Sequence, residues 1–379
     1  MLNEIIRPKR VLVLFGTRPE AIKLCPVIRD LQSRPEDFEV RVCVTAQHRE
    51  MLDSVLSVFE VEPNYDLDTM QPGQSLTAST ARILAGLERV MLDFLPELVI
   101  VQGDTTSTFC GALASFYQRV PVAHIEAGLR TFDLWQPFPE EMNRVVTTRL
   151  SALHFAATER GRNNLLAEGV PEKYVHITGN TGVDALLFVR DQILSGELIP
   201  FHSFEAPEGR RLVLVTMHRR ESFGDAQLKV CRALRKIAAR SDVHMILPVH
   251  PNPSVEAVVR ENLGDQPNIQ LIEPLDYVSF VDLLRRCHFV ITDSGGVQEE
   301  GPSLGKPILV LRDKTERPEA IDAGTVQLVG TDEKRIVRQC TRLLDSPSEY
   351  VRRSFVHNPY GDGHASPRIS TAIQSFLKT

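Results

Sequence analysis

The sequence has no Cys-x-x-Cys pair, no GxGxxG stretch and no surplus of positive charge, and each absence closes off a class of function. Its six cysteines (Cys25, Cys43, Cys110, Cys231, Cys287 and Cys340) are scattered, mostly in apolar runs. They read as small core residues of a reducing compartment, and no metal site is expected from them. A net charge of −6 argues against a nucleic acid held on a broad basic face. No apolar run reaches membrane-spanning length, and no charged n-region followed by an apolar h-region opens the chain. The expectation is a cytoplasmic protein with no membrane partner. Without GxGxxG, the usual nicotinamide fingerprint is missing. Repeats and low-complexity segments are missing too.

What is present is an ordinary globular composition, 42% hydrophobic and 24% charged, over 379 residues. That length exceeds one comfortable core and predicts two domains. Continuous apolar runs at 11–15, 40–45, 98–102, 120–125 and 154–157 read as strands of the first half. Runs at 212–216, 243–249, 269–272, 288–292, 307–311 and 326–329 repeat the scheme. Helical periodicity separates them, for example over 21–31, where Pro26 should cost a hydrogen bond or bend the helix. Unbroken apolar strands between helices mean parallel sheets covered on both faces. The predicted class is α/β, with two Rossmann-like doubly wound domains facing across a cleft. They are placed at 1–180 and 181–365, with a helix over 366–379 whose domain is left open.

In such sheets ligands bind beyond the C-terminal ends of the strands, so the residues just past each strand carry the functional signal. Seven strands end in polar clusters, among them Gly16-Thr17-Arg18-Pro19-Glu20, Gly103-Asp104-Thr105-Thr106, Glu126-Ala127-Gly128 and His218-Arg219-Arg220. Solubility alone does not ask for seven on one edge. The richest stretch is 291–317. There a strand runs into Asp293-Ser294-Gly295-Gly296 and then a short helix, a turn whose free backbone N–H groups suit a diphosphate. The bland readings are an N-cap role for Asp104, dipole-favoured first-turn acids for Glu140 and Glu141, and a structural His250 between prolines.

The segments FGTRPEAIKLCPVI, VTAQHREML, VQGDTTST, HIEAGLRT, PFPEEMNR, GNTGVDAL, VTMHRRESFG, PVHPNP, ITDSGGVQEEGPSLGKP and RDKTERPEA run in order from about residue 11 to about 325. In them the chain resembles the non-hydrolysing UDP-N-acetylglucosamine 2-epimerases. The resemblance implies the glycosyltransferase B-type fold, usually a homodimer, and interconversion of UDP-GlcNAc and UDP-ManNAc without a cofactor. It marks Asp104, Glu126 and Glu140 as acid–base carboxylates and His218 as the group assisting the diphosphate. It places Arg18, Lys23, Ser294, Gly295, Gly296, Glu300 and Arg317 on the UDP, Phe280 near the uracil and the Leu275 backbone at the base edge. Arg144 is a further cation. A second, allosteric sugar-nucleotide site in the family uses the Gln47-His48-Arg49 loop and an Arg at the position of Gly73. That departure implies either lost substrate activation or a different sugar nucleotide there.

The family chemistry fits these residue types. The C2 hydrogen of such a sugar is not acidic, and inversion without hydride transfer requires elimination of UDP, giving a 2-acetamidoglucal, followed by re-addition. Two faces need at least two proton-handling groups, and a departing diphosphate needs cations. Carboxylates gathered in one place hinder one another's ionisation, so one keeps a proton while another accepts one. Competing readings are a 2-epimerase of UDP-2,3-diacetamido-glucuronic acid, a glycosyltransferase of the same fold and a non-catalytic UDP-sugar sensor. A hydrolysing epimerase is typically fused to a sugar kinase, for which this length leaves no room.

Overall fold

The computed structural model describes residues 7–45, 49–70, 73–217, 224–250, 252–315, 317–354 and 358–378. The chain divides into two compact units, Met1–Ala185 with Gly361–Thr379, and Leu186–Tyr360.

Among the described residues, unit 1 holds seven strands: β1 (Lys9–Phe15), β2 (Phe38–Val44), β3 (Tyr65–Asp66), β4 (Leu98–Gln102), β5 (Val122–Ile125), β6 (Leu153–Ala156) and β7 (Val175–Ile177). All pair in parallel, in the order β3-β2-β1-β4-β5-β6-β7. Val11 to Phe15 have no exposed surface, and all five residues of β4 are buried. Strands buried on both faces have no polar side to alternate with, which is why they read as unbroken apolar runs. β3 and β7 carry no such run and were not anticipated.

Unit 2 holds β8 (Arg211–Thr216), β9 (Val243–Pro248), β10 (Ile269–Ile272), β11 (Phe289–Thr292), β12 (Ile308–Val310) and β13 (Val326–Leu328). Their order is β10-β9-β8-β11-β12-β13, again parallel. Each sheet therefore reverses its winding beside its first strand, between β1 and β4 in one unit and between β8 and β11 in the other. This reversal is the switch point where doubly wound sheets bind ligands.

The helix Arg18–Gln32 begins with a capping box: Thr17 accepts from the Glu20 N–H, and Glu20 accepts from the Thr17 N–H. It runs on through Pro26, because Ala21, Leu24, Cys25, Val27, Ile28 and Leu31 are buried along it. That burial offsets the roughly 3 kcal/mol an internal proline costs. A nineteen-residue helix, Leu76–Phe94, went unread in the sequence, although Ser75 caps it and Ile83, Leu87, Val90, Met91 and Phe94 form its buried stripe. The last helix, Ala365–Leu377, belongs to unit 1. Asp184 accepts from the N–H groups of Ala365 (3.2 Å) and Ser366 (2.7 Å) at its start, and Ile369 and Ile373 are fully buried.

All six cysteines are buried and unpaired by disulfide. Burial pushes their thiols up, Cys231 to about 11 and Cys43 to about 12. They are packing residues, not nucleophiles. No helix among the described residues is long and apolar enough to cross a membrane.

Candidate active site

At the switch point of unit 1, the turns after β1, β4 and β5 lie side by side. The β4 turn bends sharply at Gly103, with φ 72°. Asp104 comes next, half-buried, yet it is not the helix cap. Thr105 caps the helix Thr106–Tyr117 by accepting from the Thr108 N–H at 3.1 Å, which leaves the Asp104 carboxylate available. That carboxylate pairs with Arg144, and the Asp104 carbonyl accepts from Asn143 Nδ2 at 2.9 Å. Both partners come from the helix Glu140–Leu150.

Glu126 follows β5 directly, with φ 63°, a left-handed conformation that costs a non-glycine residue roughly 1–3 kcal/mol. Strain of this kind persists where neighbouring groups over-determine the geometry, and here they do. Lys23 pairs with the Glu126 carboxylate, and Gln102 Nε2 donates to the same oxygen at 2.9 Å. Lys23, expected on the UDP, is thus placed on a carboxylate. Arg18 opens the helix Arg18–Gln32 and is half-buried. Glu140 is half-buried at the start of its helix and makes no hydrogen bond or ion pair among the described residues.

Below these groups lies a residue the sequence reading missed. Glu20 is 2% exposed, and its carboxylate accepts four hydrogen bonds. Two come from the Gly16 (3.0 Å) and Thr17 (2.8 Å) N–H groups in the β1 turn. The other two come from the hydroxyls of Thr105 (2.6 Å) and Thr108 (3.2 Å) after β4. Burial pushes its pKa up, opposed by those bonds. The Thr-x-x-Glu spacing of a capping box was the available signal. Gln102, a polar residue closing a buried strand, was another.

At the switch point of unit 2, Thr292 ends β11 and its hydroxyl accepts from the Ser294 N–H at 2.8 Å. Ser294, Gly295 and Gly296 open the short helix Gly295–Glu300, which passes into a 3₁₀ turn at Gly301–Leu304. Arg317 is brought back over this turn. Its Nε donates to Glu299 Oε1 at 2.5 Å, and its N–H donates to the Thr315 hydroxyl at 3.2 Å. A Cβ on Gly295 would stand 2.6 Å from Arg317 Nη1, so only glycine lets the guanidinium lie this close. Ser294, Gly295, Gly296 and Arg317 are therefore gathered in one place, with Glu300 closing the helix. Leu275 is buried, and Phe280 lies half-buried in the helix Tyr277–Arg286. His250 Nδ1 accepts from the Asn252 N–H at 3.1 Å, which gives it a local structural role. His218, Gln47 and His48 lie outside the described residues; Arg49 begins the helix Arg49–Val58.

Among the described residues burial pushes down the pKa of five histidines, His176 and His244 among them, and three of the five fall far. His124, whose Nε2 lies 2.7 Å from the Gly103 carbonyl beneath the Asp104 turn, is pushed down to about 3. His154 falls to about 4. His288, stacked on Tyr350 with ring centroids 4.0 Å apart, also falls to about 4. An unfolded histidine titrates near 6.5, so below that pH the unfolded chain binds more protons than the folded one. The contribution of these histidines is fully present above about 6.5 and declines as pH falls toward 4. A lower melting temperature at pH 5 than at pH 7, with a smaller drop in His288→Phe, is the expected result. An identical drop in that variant would show that His288 has no share in the effect.

Two doubly wound parallel sheets, one bearing paired carboxylates and cations at its switch point and the other a glycine turn under an arginine, define a glycosyltransferase B-type α/β protein. A sequence profile described as UDP-N-acetylglucosamine 2-epimerase matches residues 29–374. The chain is 52% identical to the UDP-N-acetylglucosamine 2-epimerase of Salmonella typhimurium, over 97% of this chain and 99% of that one. It is 53% identical to that of Escherichia coli K12, over 97% and 98%. Among solved structures, the Neisseria meningitidis UDP-GlcNAc 2-epimerase bound to UDP-GlcNAc superposes with a TM-score of 0.89 at 45% identity, covering 98% of this chain and all of the other. This chain belongs to the UDP-N-acetylglucosamine 2-epimerase family.

Proposed function

We propose that this chain inverts C2 of UDP-GlcNAc, giving UDP-ManNAc and the reverse, by elimination and re-addition of UDP. The C1–O bond breaks with its electron pair leaving on UDP, while the C2 proton passes to a carboxylate. The resulting 2-acetamidoglucal is attacked at C1 by UDP, and a proton is delivered to the other face of C2. The observation that carries this reading is the pair of carboxylates at the ends of adjacent strands, Asp104 and Glu126, each held by a cation. Two carboxylates suit one chemistry on two faces. Arg144 and Lys23 offset the charge that develops as diphosphate departs. Glu140 is the third acid–base candidate, and His218 is assigned to the diphosphate by family resemblance alone.

In unit 2, the reading gives Ser294, Gly295, Gly296 and Arg317 the diphosphate, Glu300 the ribose, and Leu275 and Phe280 the base. Arg18 is assigned to the nucleotide as well. A homodimer belongs to the same proposal. Phe116 and Tyr117, exposed side by side at the end of the helix Thr106–Tyr117, offer apolar surface for a second copy.

Incubation with UDP-GlcNAc in D2O, followed by NMR, tests the reaction. Deuterium at C2 of sugar still attached to UDP is the expected outcome. Release of free sugar would reassign the chain to hydrolysis. Exchange in UDP-2,3-diacetamido-glucuronic acid but not in UDP-GlcNAc would reassign the sugar.

A further inference from the structure

Glu140 and Glu141 are neighbours in sequence and look equivalent at the head of one helix, but the structure separates them. Glu141 is 1% exposed. Its Oε1 accepts from the N–H groups of Thr131 and Phe132, each at 3.0 Å. Its Oε2 lies 3.1 Å from Arg144 Nη1, an ion contact whose angle falls short of a hydrogen bond. The other terminal nitrogen of Arg144, Nη2, is the one paired with Asp104. Arg144 is itself buried, and its Nε has no hydrogen-bond partner among the described residues. One guanidinium is thus shared between two carboxylates, of which Asp104 is partly open and Glu141 is sealed.

We infer that Glu141 is a positioning residue, which holds the Arg144 guanidinium in place and through it fixes the Asp104 carboxylate. A buried arginine with a single carboxylate partner is free to pivot about it; a second, immobile carboxylate three residues away on the same helix removes that freedom. Glu141 is immobile because the backbone of residues 131 and 132 is bonded to its other oxygen. Phe132, at φ 64°, turns the chain so that its N–H joins that of Thr131 on this oxygen. Glu141 acts through Arg144 and not on the reacting sugar. The inference rests on the proposed acid–base role of Asp104.

Glu141→Gln is the informative change. It keeps a carbonyl oxygen for the two N–H groups and turns an NH2 group toward Arg144, so the loop anchor survives while the hold on the guanidinium is lost. With UDP-GlcNAc in D2O, the variant is expected to lose roughly 10- to 100-fold in kcat, the scale on which misplaced catalytic groups cost rate. KM and the UDP dissociation constant should change less than about threefold, since binding is not what positioning supplies. The decisive measurement is a cycle with Arg144→Met: in that background Glu141→Gln should cost nothing further. Equal fractional losses in both backgrounds, or an unchanged kcat in the single variant, would overturn the inference. If Glu141→Gln does not accumulate as folded protein, Glu141→Asp runs the same cycle, because it keeps the charge while withdrawing it from Arg144. Full exchange in Asp104→Asn would sink the acid–base reading of Asp104 instead, an outcome that the cycle does not imitate.

Discussion

Asp104→Asn should abolish measurable C2 deuterium exchange while leaving UDP affinity nearly intact. The amide is nearly isosteric with the carboxylate and keeps an oxygen facing Arg144, so the turn itself is retained. Asn143 Nδ2 bonds the backbone carbonyl of residue 104, which the substitution does not touch. Thr105, not Asp104, caps the following helix, so no cap is lost. What disappears is the ability to take or give a proton, worth roughly 10²- to 10⁴-fold in rate. Calorimetry with UDP and NMR of C2 exchange read the two halves separately. A variant that loses both UDP binding and exchange would make Asp104 structural, and one that keeps both would remove it from the chemistry.

The second large effect is expected on stability. Gly128 lies two residues past Glu126 and sits at φ 90°, where an L side chain is strained by roughly 1–2 kcal/mol. A Cβ there would stand 2.2 Å from the carbonyl oxygen and 2.6 Å from the carbonyl carbon of Gly161, in the helix Glu159–Ala167. Both are backbone atoms with no rotamer to yield. The Gly128 carbonyl also accepts from Asn164 Nδ2 of the same helix at 2.9 Å, so the β5 turn is clamped to the surface it would have to leave. Gly128→Ala should therefore cost about 3 kcal/mol or more. In a unit of roughly two hundred residues this lowers the melting temperature by about 6–12 °C. A melting temperature within about 2 °C of the wild type would show that the turn relaxes without breaking.

The sheets were legible because burial on both faces writes itself as unbroken apolar runs. β4 and β10 fall where the sequence places them, and the remaining long strands differ by a residue or two at their ends. β3, only Tyr65-Asp66, and β7, where His176 stands between Val175 and Ile177, leave no unbroken apolar run. The helix Leu76–Phe94 did leave a pattern, a serine cap followed by an apolar stripe, but its start is crowded by the polar stretch before it. Side-chain partnerships were less visible. That Asp104 meets Arg144, forty residues on, comes from β4 and β5 being neighbours with the helix Glu140–Leu150 packed after them, and no local spacing encodes it. The difference between Glu140 and Glu141 is a rotation of about 100° around a helix. It decides which carboxylate is sealed, and only the surrounding fold reveals it.

Glu20 makes the loops after β1 and β4 mechanically inseparable. Because the same two oxygens secure backbone on one side and hydroxyls on the other, neither loop can be redesigned alone without loosening its neighbour. Attempts to alter the sugar preference by grafting a single strand-end segment should meet this constraint first, and exchanging both segments together with the glutamate is the unit of change the architecture permits.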